Sequence, residues 1–153
     1  MENLILKFSE KNITVAAAES CTGGLLSSAF VDIPGSSAVL LEGVVTYSNE
    51  AKIRLGVKED SIKAHGAVSK EVALEMANAV RKRAGASVGL STTGIAGPGG
   101  GSDEKPVGLV YTAIVSDTGQ NVYKLQLEGD RTSVRTQTVK FIIKKLSEDF
   151  LND

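Results

Sequence analysis

The sequence predicts an α/β fold of three layers, in which helices cover both faces of a mixed, mostly parallel sheet of about five strands. Apolar runs without polar alternation, such as residues 13–18, are typical of strands buried on both faces. Segments of helical period separate these runs, and two strand-like segments near the end lie close enough for a hairpin. The 153 residues fit one domain, 1–153, with its own core.

In the first half of the chain, residues 3–11 form a predicted amphipathic helix and residues 13–18 the first strand. The small residues of ESCTGG follow that strand directly, and LLSSAFVDI then forms a predicted helix that ends near Pro34. Residues 38–47 are rich in β-branched side chains and predict a second strand. Asn49 is placed to cap a short helix after it.

In the second half, apolar residues at helical spacing predict a helix over 69–84 that packs on the core. Residues 86–93 form a predicted third strand, which leads into the glycine-rich loop GIAGPGGGSDEKPVG. Residues 107–115 and 121–127 predict an antiparallel hairpin, because only the SDTGQ turn separates them. A final helix is predicted over 131–150.

The charge and the hydropathy exclude two classes of partner. Seventeen Lys and Arg residues against eighteen Asp and Glu residues, with no polybasic block, predict no nucleic-acid partner. The apolar stretch within the first residues is too short for a signal peptide. The sequence contains no run of about 18 apolar residues, so it predicts no membrane span. The single cysteine, Cys21, cannot form an internal disulfide, which fits a reducing compartment. We therefore expect a cytoplasmic protein.

The sequence also predicts no metal and no cofactor. The sequence has one histidine, His65, one cysteine and no cluster of carboxylates. It therefore lacks the three or four ligands that a metal usually needs. The glycine-rich loop matches neither GxxxxGK[ST] nor GxGxxG, so it does not predict a nucleoside triphosphate or dinucleotide site.

The loops that follow the first three strands are the candidate site, because the carboxyl ends of parallel strands meet at one crevice of an open sheet. The first of these loops offers the hydroxyls of Ser20 and Thr22. Gly23 and Gly24 stand where a helix begins, and their amides would suit an oxyanion or a phosphate. A hydroxyl at this place is also typical of a helix cap, and both interpretations stay open.

A serine nucleophile needs a base, and the second loop offers one. Tyr47 closes the second strand and Lys52 follows in the next helix, so both can reach the crevice. A lysine acts as a base only when its pKa is lowered, and a tyrosine hydroxyl can relay the proton. A solvated helix lysine is the alternative for Lys52. His65 lies in a separate segment and is interpreted as a polar loop residue.

Two arginines of the last predicted helix, Arg131 and Arg135, fall on or beside its apolar stripe in the first two turns. Arginines on a side that faces the core need an anionic partner. An acidic side chain or a ligand phosphate would meet this need.

Five ordered segments, AAAESCTGG, GVVTYSNEAK, GAVS, TTGIAGPGGGSDEKPVG and GDRTSVR, resemble the CinA C-terminal domain family over about residues 5–150. Its characterised members are nicotinamide-nucleotide amidohydrolases. Many relatives carry a further amino-terminal domain, and this chain resembles the stand-alone deamidase. The resemblance implies a three-layer sandwich similar to anticodon-binding domains, with one strand antiparallel.

The resemblance also implies a reaction, the hydrolysis of the carboxamide of nicotinamide mononucleotide to nicotinate mononucleotide and ammonia. Ser20 would be the nucleophile, and Tyr47 and Lys52 would activate it. Main-chain amides between Cys21 and Gly24, or at the turn of Thr93 and Gly94, would hold the oxyanion. For the substrate's phosphate the first choice is Arg135, followed by Arg131 and Lys105.

Two other functions stay open at this point. One is a binding module that recognises a pyridine nucleotide or a protein partner without turnover. The other is an amidase that uses Cys21, although neighbours entering a helix point about 100° apart, so only one of Ser20 and Cys21 would face the crevice. Assembly into a homo-oligomer also stays open.

Overall fold

A five-stranded sheet forms the centre of the structure, a computed structural model that describes residues 1–151. The last two residues of the expected domain 1–153 lie outside the described residues. Along the chain the helices and strands are α1 Glu2–Glu10, β1 Val15–Glu19, α2 Leu25–Val31, β2 Leu40–Val45, α3 Asn49–Leu55, α4 Glu59–His65, α5 Lys70–Ala84, β3 Val88–Gly94, β4 Leu109–Val115, β5 Gln120–Gln126 and α6 Arg131–Leu151.

The strand order across the sheet is β2-β1-β3-β4-β5. β1 runs parallel to both β2 and β3, whereas β4 runs antiparallel to both β3 and β5. Four strands therefore point one way and β4 points the other way. This confirms the predicted mixed, mostly parallel sheet with one antiparallel strand.

Helices cover both faces of the sheet, as the sequence predicts. β1 alternates between the two faces: Val15 and Ala17 pack in a cluster with α1, α2 and α6, whereas Ala16 and Ala18 pack in a cluster with α5. The α5 layer lies very close to β3, because a Cβ at Gly89 would collide with the carbonyl oxygen of Ala77. Burial on both faces explains why β1 is apolar without alternation.

Two local predictions are wrong. Residues 59–65 form the helix α4, so His65 ends a helix and does not lie in a loop. α4 buries none of its residues and therefore has no apolar stripe to reveal it. Ser48, not Asn49, caps α3, since its Oγ accepts a hydrogen bond from the amide of Ala51 at 3.1 Å.

Within residues 1–151, no helix has both the length and the apolar composition needed to cross a bilayer.

Candidate active site

A crevice of about 270 Å³ lies at the carboxyl ends of β1, β2 and β3, where the sequence predicts the site. Loops after all three strands contribute to it, together with the start of α6. Among the residues that line it are six of the predicted site residues: Ser20, Tyr47, Lys52, Thr93, Gly94 and Arg131.

At the floor of this crevice the side chain of Lys52 contacts that of Ser20. The Nζ of Lys52 lies 3.0 Å from the Oγ of Ser20, 2.8 Å from the carbonyl oxygen of Thr46 and 3.4 Å from that of Tyr47. Lys52 is only 1% exposed, and this burial lowers the pKa of its amine below the ordinary value of 10.5. The alternative of a solvated lysine is therefore wrong.

Backbone geometry delivers both residues to this point. The amide of Thr46 donates to the carbonyl of Glu19 at 2.8 Å, so the end of β2 stays beside the end of β1. The chain then turns into α3, whose cap Ser48 fixes its first turn and directs Lys52 back toward β1. Ser20 is held on the other side, because its amide donates to the carbonyl of Thr92 at 3.0 Å.

Residues 20–24 form a tight double turn, which we call the Ser20 turn. The amide of Gly23 donates to the carbonyl of Ser20 at 3.1 Å, and that of Leu25 donates to Thr22 at 3.0 Å. Gly23 and Gly24 have φ angles of 56° and 103°, a left-handed region that favours glycine. These two glycines serve the turn, and the helix begins only at Leu25.

A buried carboxylate, which the sequence pattern did not reveal, occupies the amino terminus of α2. Glu19 accepts the amides of Leu26 at 2.8 Å and Ser27 at 3.0 Å, and the hydroxyls of Thr22 and Ser27 at 2.7 Å each. The anion site predicted at this helix end is thus filled by the protein itself, and Thr22 is a buried link rather than a cap. The feature of the sequence that could have indicated this buried carboxylate is a glutamate at the end of an apolar strand.

The two arginines of α6 have different surroundings. Arg135 donates from Nε to the carbonyl of Cys21 and from Nη2 to that of Thr22, both at 3.0 Å. Arg131 lies at the crevice, where Nη1 donates to the carbonyl of Gly97 at 2.8 Å. Arg135 is half-buried and does not line the crevice, and the partners of its two bonded N–H groups are carbonyls rather than a carboxylate.

Tyr47 lies at the mouth of the crevice and not on its floor. Its side chain is 63% exposed, and its hydroxyl accepts a hydrogen bond from Nη2 of Arg131 at 3.1 Å. Only the main-chain carbonyl of Tyr47 approaches Lys52. The structure therefore does not bring the tyrosine hydroxyl to the pair of Ser20 and Lys52, where a proton relay would need it.

Of the remaining predicted residues, Thr93 and Gly94 line the crevice but also support the fold, and Lys105 lies outside the crevice. Thr93 donates from Oγ1 to the carbonyl of Ala67 at 2.8 Å, which ties β3 to the segment before α5. A Cβ at Gly94 would crowd Val110 of β4, so glycine is required there for strand packing. Lys105 donates from Nζ to the carbonyl of His65, beside the glycine-rich loop, and does not line the crevice.

Cys21 adjoins Ser20 and also contributes to the lining of the crevice. The expectation that only one of them would do so is wrong, because the Ser20 turn is not helical and the 100° spacing does not apply. The thiol is buried with Ala96, Val110 and Val134, and burial raises its pKa to about 11. At neutral pH it is a protonated thiol, which is a poor nucleophile.

Within residues 1–151, no three His, Cys, Asp or Glu side chains are grouped so that they could hold a metal ion.

The chain resembles solved structures over nearly its whole length. A competence/damage inducible protein from Agrobacterium tumefaciens is 42% identical, with a TM-score of 0.91 over 95% of this chain and 92% of that one. A CinA superfamily protein from Klebsiella pneumoniae is 31% identical, with a TM-score of 0.94 over 99% and 96%.

Longer relatives match in sequence. A protein of Clostridium acetobutylicum that is named competence-damage inducible is 51% identical over 144 residues, 94% of this chain and 35% of that protein. One of Caldanaerobacter subterraneus with the same name is 55% identical over 141 residues, 91% and 34%. The chain spans about a third of the length of these relatives. Because the family model described as CinA C-terminal domain matches residues 1–150, this chain belongs to the CinA C-terminal domain family.

Proposed function

We propose that this chain hydrolyses the carboxamide of nicotinamide mononucleotide, giving nicotinate mononucleotide and ammonia, with Ser20 as nucleophile and Lys52 as base. One observation carries the proposal: Lys52 Nζ lies 3.0 Å from Ser20 Oγ and is buried, with a lowered pKa. A nucleophile within hydrogen-bond reach of a base is the arrangement that acyl transfer needs. The resemblance of the sequence motifs supports the choice of substrate.

The contacts of Lys52 serve both of its protonation states: an ammonium donates its three N–H groups to the Oγ of Ser20 and to the carbonyls of Thr46 and Tyr47. A neutral amine has two N–H groups and one lone pair. The carbonyls of Thr46 and Tyr47 accept the two N–H groups, which leaves the lone pair directed at the hydroxyl of Ser20. In this state the Ser20 hydroxyl donates to Lys52.

The reaction then proceeds in two balanced halves. Ser20 Oγ attacks the carboxamide carbon while its proton passes to Lys52 Nζ. The tetrahedral intermediate collapses, the C–N bond breaks, and the Lys52 ammonium returns the proton to the leaving ammonia. A water molecule next attacks the ester and gives one proton to Lys52, which passes it to the Ser20 oxygen as the C–O bond breaks. The second water proton leaves with the carboxylic acid, which ionises to the carboxylate by giving that proton to solvent. Water is the only co-reactant, so the proposed reaction needs no cofactor.

The oxyanion of the intermediate needs main-chain donors near Ser20. The amides of Ser20 and Gly23 already donate within the protein, to Thr92 and to Ser20. We assign the role to the amide of Cys21, because this residue lines the crevice, with the amides of Thr93 and Gly94 at the end of β3 as the other candidates.

Arg131 is the best candidate for the substrate's phosphate. A guanidinium has five N–H donors, and the bonds to Gly97 and Tyr47 use two of them. The hydroxyl of Tyr47 accepts from Arg131, so its own proton is available to a phosphate oxygen. Arg131 and Tyr47 together would hold the phosphate at the mouth while the carboxamide reaches Ser20.

Release of ammonia from nicotinamide mononucleotide by the purified protein tests the proposal. We expect Ser20→Ala to abolish it and Cys21→Ala to retain most of it, because the Cys21 thiol stays protonated. Substantial activity in Ser20→Ala would remove Ser20 as the nucleophile. A wild-type protein that binds the mononucleotide without releasing ammonia would favour the binding module instead.

A further inference from the structure

We propose that Arg135 and Glu19 are positioning residues that hold the Ser20 turn from its two sides and thereby aim the hydroxyl of Ser20 at Lys52. Neither residue would contact the substrate. The inference rests on the proposed function in one respect, since it takes Ser20 to be the nucleophile.

Arg135 holds the turn through its main chain. Its Nε and Nη2 donate to two successive carbonyls, those of Cys21 and Thr22, 114 and 113 residues away in the sequence. A peptide unit is planar, so a fixed carbonyl also fixes the N–H on its other side. Arg135 therefore sets the orientation of the Cys21–Thr22 and Thr22–Gly23 peptide planes, which follow the Ser20–Cys21 unit.

Glu19 holds the turn through a chain of hydroxyls. The amide of Ser20 is shared between the carbonyl of Thr92 at 3.0 Å and Thr92 Oγ1 at 3.3 Å, and Thr92 Oγ1 lies 2.7 Å from Thr22 Oγ1. Thr22 donates in turn to Glu19 at 2.7 Å, so Thr92 is the donor to Thr22. Each hydroxyl accepts one hydrogen bond and donates one, an order that strengthens every bond in the chain.

The turn needs such support because glycine makes it conformationally permissive. Gly23 and Gly24 both lie in the left-handed region, and glycine loses more conformational freedom on ordering than other residues do. A displacement of about 1 Å at a reacting group is enough to cost about 10²-fold in rate. A Cβ at Gly23 would lie 3.4 Å from Nη2 of Arg135, so the guanidinium packs directly against this flexible point.

The test measures how fast Ser20 reacts with a small sulfonyl fluoride, detected by mass spectrometry of the intact protein and its peptides. This reaction needs no substrate, so it stays informative even when no ammonia is released from the mononucleotide. We expect Arg135→Gln and Thr22→Val each to slow the modification of Ser20 at least tenfold. Modification at the wild-type rate in both variants would overturn the inference, and so would a wild-type Ser20 that does not react.

Matched controls separate positioning from a general loss of structure. Arg81 also donates to a main-chain carbonyl, that of Ser87 at 2.9 Å, in another part of the chain. The buried hydroxyl of Thr112 has no hydrogen-bond partner within residues 1–151. Arg81→Gln and Thr112→Val should therefore keep the wild-type rate. If the two pairs slow the reaction equally, Arg135 and Thr22 support only the fold and the inference is wrong.

A second measurement distinguishes positioning from recognition of the phosphate. If Arg135 acts through the turn, Arg135→Gln lowers kcat by the same factor for nicotinamide mononucleotide and nicotinamide riboside and changes KM little. A loss confined to the mononucleotide would return Arg135 to the phosphate site and contradict the inference. Arg135→Lys should rescue only in part, because one ammonium cannot reproduce the two parallel N–H groups of the guanidinium.

Discussion

A lysine acts as a base only when it is neutral, so the role proposed for Lys52 depends on the burial of its amine. We expect kcat/KM for nicotinamide mononucleotide to rise with pH as Lys52 loses its proton, with a midpoint below 10.5 because burial lowers the pKa. Lys52→Arg should be nearly as damaging as Lys52→Ala, since arginine stays protonated. Lys105→Arg, outside the crevice, is the control. An active Lys52→Arg would mean that Lys52 acts through its charge alone.

Arg131 is expected to set the preference for a phosphorylated substrate. Hydrogen bonds to charged groups contribute about 1.5 to 3 kcal/mol, so Arg131→Ala should lower kcat/KM for the mononucleotide by roughly 10- to 100-fold. The riboside has no phosphate and should be affected much less. Steady-state kinetics with both substrates measure this difference. Equal losses would place Arg131 in support of Tyr47 or of the glycine-rich loop rather than at the phosphate.

At the scale of helices and strands, the close contact between α5 and β3 depends on Gly89, which has no side chain. A Cβ at Gly89 would meet the carbonyl oxygen of Ala77 and lie 2.7 Å from the Cβ of Arg81. Since main chain cannot yield as a flexible side chain does, we expect Gly89→Ala to lower the free energy of unfolding by about 1 to 3 kcal/mol. Urea denaturation measures it.

Gly119 provides the control for this substitution, because a Cβ there would meet nothing within 4 Å. Gly119→Ala should change the free energy of unfolding by less than about 0.5 kcal/mol. Equal stabilities of the two variants would show that α5 can move away from the sheet without cost.

At the scale of the whole molecule, the burial of Lys52 should make the free energy of unfolding depend on pH. The pKa of Lys52 is lower in the folded protein than the 10.5 of an exposed lysine. Between these two pKa values the unfolded chain binds more protons, so this group makes the free energy of unfolding rise with pH and makes it fall as pH decreases toward the folded pKa.

Comparison with a variant that lacks the amine isolates this contribution. We expect the wild type to gain stability relative to Lys52→Met as the pH rises from 7 to 10, measured by urea denaturation at each pH. Ser20→Ala keeps the buried lysine and should follow the wild type. A constant difference between wild type and Lys52→Met over this range would contradict a lowered pKa.

Much of this fold is determined by the sequence itself, because hydrophobic periodicity is a local property. It predicts β1, α5, the hairpin and α6, and the rule for parallel strands assigns Ser20 and Lys52 to one crevice from their positions along the chain alone. The same method misses α4, since its seven residues, EDSIKAH, hold too few apolar side chains to form a helical stripe.

Only the tertiary structure decides which charged side chains line the crevice and which hold the main chain beside it. Arg131 and Arg135 are four residues apart, about 40° around a helix, so periodicity cannot distinguish them. The packing of α6 against the sheet places Arg135 where it donates to the carbonyls of the Ser20 turn. It places Arg131 at the crevice, where the side chain donates to Gly97. Glu19 is buried by α2 in the same way. Long side chains have many rotamers, and contacts between distant parts of the chain, rather than local spacing, select the one that is adopted.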